Sequence, residues 1–579
     1  MTNANPILAL KPYLEEVRKH CRKLSAAELG DMLCAIAQEV PPRDRAGFLA
    51  KLVSGATPAT DAEVVVKADH DLISRIDALK EAIAERQAAI EDGSFYEEQD
   101  DWDEYHYDEE APAFSDEQRD ELHTLFAEAD HLFLVNELEI AREAYALLLD
   151  MFRGEPDDDE FAYQLDPHDI NINWRETRAR YCRCVYETAD PAERIPRMRH
   201  ALEIEVNLFE ARYAPAEGNY PLLQDVFEAR AGELADWKSF LRAWQQALAD
   251  NPDNRAVVLF LEAVYWLDGA AGVAQEVRKR RIPVSYLFWL DKLVAAQAWP
   301  EAAQAAQAAL EHIPQGKLRA QAAEMLQRAG QETGNAALLL QGKREEFFST
   351  PRNDTLARLI EEANRQQARP AELENALRVI TAKAPAELRV KILLMLGRLT
   401  EAAGLIDKSQ ALGWSSGATG IGVFFGGMLT ALTQAEPQAT TIQALLKRYA
   451  GVSDRYFPDP SDTQETGGDM VIFEEIRQGL QRLPLEAAEK QEWFASAQKI
   501  GGDRIDAIVA NQHRNSYRRA AEVLGALMEC SLLIGQPAQA RQLLDTYRNQ
   551  KYKRHSSFRR EVDTVLKDSK LLRPFYSKK

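Results

Sequence analysis

Gly413-Trp414-Ser415-Ser416-Gly417 matches the G-x-S-x-G pattern in which serine hydrolases present a nucleophile. That chemistry needs a strand ending at the serine and a helix starting after it, so that the hydroxyl sits on a strained, exposed turn. Leu405 to Leu412 instead reads as the end of a helix, so catalysis by Ser415 ranks last among the readings of this chain. The glycines from Gly417 to Gly427 resemble a nucleotide loop only superficially. They lack the Lys-Ser/Thr that reaches phosphates, and no strand precedes them. Cys182 and Cys184 are two residues apart on an expected helix, where they point to different faces and cannot chelate one ion. Tetrahedral zinc wants four convergent ligands, so these read as packed thiols. Asp157, Asp158, Asp159, Glu160, Asp166, His168 and Asp169 lack the spacing of a calcium loop and read as a solvated connection. No metal, cofactor or catalytic residue is expected.

A second group of residues points to binding. Arg504, Asp506, His513, Arg514, Tyr517, Arg518 and Arg519 are close in sequence. His513, Tyr517 and Ala520 share a helical face, which suits a buried histidine bonded to Asp506 or to a carbonyl. From Arg548 to Lys579 there are eleven Lys or Arg and three Asp or Glu, a net charge of +8 in a chain whose formal charge is -22. Arg514, Arg518, Arg519, Lys553, Arg554, Arg559 and Arg560 are therefore the candidate partner-binding residues. Few aromatics interleave with the tail, and the chain as a whole is acidic, so docking of a protein partner or contact with the chain's own acidic loop is expected in preference to a nucleic acid.

These residues must be positioned by helices. Apolar residues recur at helical spacing nearly everywhere, as in Leu125, Ala129, Leu132 and Phe133, then Ala141, Ala144, Tyr145 and Leu148. The pattern predicts an all-α chain. Helices come in pairs. The first helix of one pair ends near Ala298, Trp299-Pro300 makes the turn, and the second carries Ala302, Ala306, Ala309 and a closing Pro314. Looser copies run over 237–252, 137–152, 396–406 and 537–547. This is the second-helix signature of tetratricopeptide-like units, and it predicts a solenoid in which each hairpin covers the apolar face of the last.

The expected organisation is an N-terminal helical region (1–90), an acidic disordered loop (91–121), a tetratricopeptide-like solenoid (122–411), a Gly/Pro-rich hinge and linker (412–470), and a separate C-terminal helical module with a basic tail (471–579). The loop holds fifteen acidic residues and one base, Arg119, too dense a charge for a packed core. Within the hinge, a turn that lets helices approach closely is one role for the glycines. The other is a flexible hinge or processing loop at Gly426, Gly427, Met428 and Leu429. No secretory signal and no membrane span is expected, and the five cysteines read as reduced thiols of a cytoplasmic protein.

Residues 504–521, 552–563 and 412–417 together resemble uncharacterised bacterial tetratricopeptide-like helical-repeat proteins, some of which carry a SWIM-type zinc finger. The resemblance implies association with bacterial conflict systems and with AAA-type ATPases. The finger's C-x-C must be followed by C-x-H, which Cys182-Arg183-Cys184 lacks, so zinc does not carry over. In size and helical character the chain is also similar to the accessory protein cleaved by the caspase-like peptidase of type III-E CRISPR loci. That similarity implies an antiviral protein activated by a cut within 412–470. The primary expectation is a non-enzymatic scaffold or adaptor. Its candidate partners are a peptidase, an ATPase or a transcription-related protein.

Overall fold

The computed structural model describes residues 62–91, 114–152, 172–203, 220–230, 232–380, 386–414, 419–451 and 467–576, with 171 among the positions left out, 95 and 170 included, and 19 and 23 as isolated points. Every regular element among them is helical, with no strand. The chain divides into two compact units. One holds residues 1–172 and 205–207, the other 173–204 and 208–579.

In the first unit, α1 (Ala62–Glu91), α2 (Asp116–Leu134) and α3 (Leu138–Asp150) pack on one another. The two apolar stripes expected from the sequence are buried here, with Leu125, Ala129, Phe133, Ala141, Ala144, Tyr145 and Leu148 fully covered. Arg75 of α1 reaches Glu121 at 2.6 Å and Glu128 at 2.9 Å. The expected disordered loop gives way at its C-terminal end. Phe114 is buried, and residues 116–121 open α2. Ser115 and Gln118 form a reciprocal capping box, and Asp116 and Glu117 lie in the first turn, where carboxylates favour the positive helix end. Acidic residues thus start a helix here. Residues 96–113 lie outside the described residues.

The second unit continues as α4 (Trp174–Thr188), α5 (Arg194–Glu203), α6 (Leu223–Glu228), α7 (Trp237–Leu248), α8 (Asn254–Arg280), α9 (Pro283–Ala295), α10 (Trp299–His312), α11 (Lys317–Glu332), α12 (Ala336–Ser349), α13 (Asn353–Arg365), α14 (Arg369–Val379), α15 (Ala386–Met395), α16 (Leu399–Ala403), α17 (Ile421–Leu432), α18 (Thr440–Ala450), α19 (Gly467–Gln481), α20 (Ala487–Val509), α21 (Tyr517–Leu533), α22 (Pro537–Leu544) and α23 (Ser556–Asp568). From α7 to α19 each helix packs on the next, an all-α, tetratricopeptide-like α/α solenoid of hairpins, and α19 also packs on α13, α15 and α17. Among the described residues one helix, α8, is long and apolar enough by composition to cross a membrane. It is broken at Gly269, whose φ of 66° and ψ of -164° are not helical, and Ala256 to Val264 are buried in the protein.

The repeat is written in the backbone. Five hairpins close on a residue with positive φ: Gln297, Gly334, Gln367, Gly397 and Gln434, spaced by 37, 33, 30 and 37 residues. In each, the next amide donates to the carbonyl five residues back: Ala298 to Leu293, Asn335 to Gly330, Ala368 to Ala363, Arg398 to Leu393 and Ala435 to Thr430, all at 2.8–2.9 Å. The positive-φ residue itself donates three residues back, completing a Schellman motif. In the first four, the following residue is the N-cap of the second helix, so one turn both ends a helix and aims its partner. Asn136 and Gly535 close two further hairpins in the same way.

The hinge expected at 412–470 is replaced over 421–450 by α17 and α18. All twelve residues of α17 are buried, including Gly426, Gly427, Met428 and Leu429, so the expected processing loop is a core helix. Its glycines make room for neighbours. A Cβ on Gly426 would stand 3.1 Å from the Leu446 Cα of α18, and one on Gly427 would stand 2.7 Å from Leu394 of α15. The C-terminal helices join the same core, which runs from Leu340 to Leu572. On α19, Gly479 crosses α15 so closely that a Cβ would meet the Met395 carbonyl oxygen at 2.3 Å. Glu475 of α19 accepts from Asn364 at 2.8 Å and pairs with Arg369.

Candidate functional site

Cys182 and Cys184 are both fully buried on α4. Burial pushes the Cys182 thiol up to about 12, which leaves it a neutral, inert group. Ser415 and the acidic residues 157–169 lie outside the described residues. Trp414, beside Ser415, is buried against Phe425 and Tyr449.

The three stretches that carry the resemblance come together in the C-terminal helices. Arg504 of α20 is 4% exposed. Its guanidinium lies 5.3 Å from the Trp414 ring centroid, and it donates to the Ala411 carbonyl at 3.1 Å. Two residues on, Asp506 accepts from the Tyr552 hydroxyl at 2.8 Å and pairs with Lys551 at 2.6 Å. Burial, followed by the bond to Asp506, raises the Tyr552 pKa, so the phenol remains a proton donor. Lys551 ends a π-helical turn, Asp545–Lys551, in which Arg548 is held by Asp563 at 2.7 Å.

The expected His513–Asp506 pair is absent. His513 is exposed in the turn before α21, while Asp506 faces Tyr552. The histidine that meets Tyr517 is His555, whose Nδ1 is 3.4 Å from the phenol oxygen. Proximity in sequence suggested His513, whereas the contact is made by a turn residue 38 positions beyond Tyr517. Tyr517 also meets Phe558 edge-on, and so ties the Arg514 turn to the turn that precedes α23.

The candidate partner-binding residues divide into two sets. Arg518 faces Glu522 at 3.0 Å, Asp568 at 3.4 Å and Glu561 at 3.9 Å, so its charge is already matched and it joins α21 to α23. Arg519 is half-buried and already engaged. Arg514, Lys553, Arg554 and Arg560 are exposed and make no ion pair among the described residues, and Arg559 bonds only the Lys553 carbonyl, at 3.3 Å. Four of these cations flank the start of α23. That helix has no acidic residue in its first turn, and its N-cap, His555, makes no side-chain capping bond. Positive charge thus gathers at the positive end of a helix, where it is disfavoured. These cations lie on the Arg514 turn, the Lys553-Arg554 turn and the first turns of α23, segments that Tyr517 links through His555 and Phe558.

No family model and no curated protein matches the chain. Among solved structures, it is similar to a circular tandem repeat protein with novel repeat topology and enhanced subunit contact surfaces. That alignment covers 87% of this chain and 98% of the other at 13% identity, with a TM-score of 0.15.

Proposed function

We propose that this protein is a non-enzymatic scaffold that binds protein partners through its stacked hairpins and the cationic face of its C-terminal helices. The observation that carries this reading is the set of exposed cations that have no ion pair among the described residues, in a unit where Arg504, Arg518, Arg548 and Lys551 all have partners. Repeat arrays present large surfaces held rigid by a continuous core, and such surfaces need no catalytic constellation. The resemblance of residues 412–417, 504–521 and 552–563 supports a cytoplasmic role in a bacterial conflict or antiviral defence system. A peptidase, an ATPase or a transcription-related protein would be the partner.

Activation by a cut at Gly426–Leu429 is not part of this proposal. A peptidase needs about a stretch of extended, accessible backbone, whereas this segment is a buried helix. The test is purification from the native host of a chain tagged at both ends, with and without phage challenge. Recovery of the intact chain with a partner at fixed stoichiometry supports the scaffold. Recovery of two separate tagged fragments on challenge, or of the chain alone in both conditions, contradicts it.

A further inference from the structure

The cationic face has the features of a docking site for one class of ligand. Arg514, Lys553, Arg554 and Arg560 are exposed and unpaired among the described residues, and Arg559 bonds only a carbonyl. No carboxylate stands within ion-pair distance of them among the described residues, and the amide end of α23 adds its own partial positive charge. Tyr517, Tyr552 and Phe558 are 4%, 4% and 0% exposed and pack edge to face, a buried aromatic cluster that fixes the segments carrying the cations.

We propose that this face docks an acidic polypeptide segment, rich in Asp and Glu, of the protein partner. This deepens the scaffold reading and rests on it. Charge complementarity selects an anionic ligand, and two observations select polypeptide over nucleic acid. The aromatic rings next to these cations in the sequence, Tyr517, Tyr552 and Phe558, are buried and so offer no platform for unpaired bases. The remainder of a chain of formal charge -22 repels a long polyanion, whereas a short acidic segment engages the patch alone. Arg518 takes no part in docking, because Glu522, Glu561 and Asp568 hold it.

The test titrates the full chain with a fluorescein-labelled poly-glutamate peptide and follows anisotropy at low and at physiological salt. The triple reversal Lys553→Glu/Arg554→Glu/Arg560→Glu is expected to weaken binding about tenfold or more. A charge-matched control on exposed cations elsewhere, Lys238→Glu/Arg242→Glu/Lys317→Glu, is expected to bind like the wild type. If the reversal lowers the melting temperature, the milder Lys553→Ala/Arg554→Ala/Arg560→Ala variant replaces it, with a smaller loss expected. Equal weakening by both reversals, no binding by the wild type, or tighter binding of single-stranded RNA or duplex DNA than of the peptide overturns the proposal. If a native partner still co-purifies with the patch variant, the docking site is wrong and the scaffold reading survives. If no partner co-purifies even with the wild type, the scaffold reading itself fails.

Discussion

Glu262 shows how much a single buried carboxylate can carry. It is 1% exposed on α8 and accepts from the backbone amides of Leu223 and Gln224, each at 2.7 Å, thereby capping α6. Burial pushes its pKa up from 4.5 to about 7. The two amide bonds and Lys292 act in the opposite direction, and Asp225 adds to the rise. The folded protein therefore holds a proton that the unfolded chain has already released between about pH 4.5 and 7. More protons on the folded state mean that this group's contribution to stability falls as pH rises through that window, by on the order of 3 kcal/mol in total. Glu262→Gln is expected to flatten that part of the stability profile, as measured by urea midpoints at several pH values, and an unchanged slope would contradict the assignment. Cys182 makes a second case. With its thiol pushed up to about 12 and its surface fully covered, it is expected to resist a disulfide reagent until urea unfolds the chain. Labelling in native buffer would show that α4 opens.

At the scale of elements, the repeated turn makes its own prediction. Gln297 and Gln367 adopt positive φ where other copies of the turn have Gly334 and Gly397. A residue with a Cβ pays roughly 1–2 kcal/mol in this region, of which glycine's extra backbone entropy offsets about 0.5–1 kcal/mol. Gln367→Gly is thus expected to stabilise the protein by up to about 1 kcal/mol, a rise in urea midpoint with no change in slope. The close crossing of α19 on α15 predicts the reverse. Gly479→Ala is expected to destabilise by about 1–3 kcal/mol, because its Cβ meets fixed backbone rather than a movable side chain. A neutral outcome would mean that the crossing is looser than 2.3 Å implies.

The helices and their pairing were legible because stripes such as Ala302, Ala306 and Ala309, and prolines at the second helix of a pair such as Pro300, depend only on local spacing. The regularity of the turns was not, because the residue with positive φ is Asn, Gln or Gly, three types with no shared pattern. The glycines of α17 misled for a related reason. In sequence they resemble flexibility, and only the distant Leu394 and Leu446 reveal that they serve close packing. His513 misled in the same way, since its expected place is taken by His555 through a contact no local spacing encodes. Of the candidate site, the cations at 514, 553, 554, 559 and 560 were legible from charge alone. That Arg518 belongs to the interior bonding of the fold was not, because Glu561 and Asp568 come from another helix.

At the scale of the molecule, the hairpins share one continuous core from Leu340 to Leu572, and the exposed cations stand on the C-terminal helices of that core. The core is the reason a partner held at those cations would meet a fixed surface. The most direct measurement is amide hydrogen exchange on the full-length protein, alone and in its purified native complex. Partner binding is expected to slow exchange at the Arg514 turn and at residues 553–560, while the amides of α17 exchange slowly in both states because they open only with the core. Protection confined to other surfaces, or rapid exchange across 421–432 in the free protein, would contradict it.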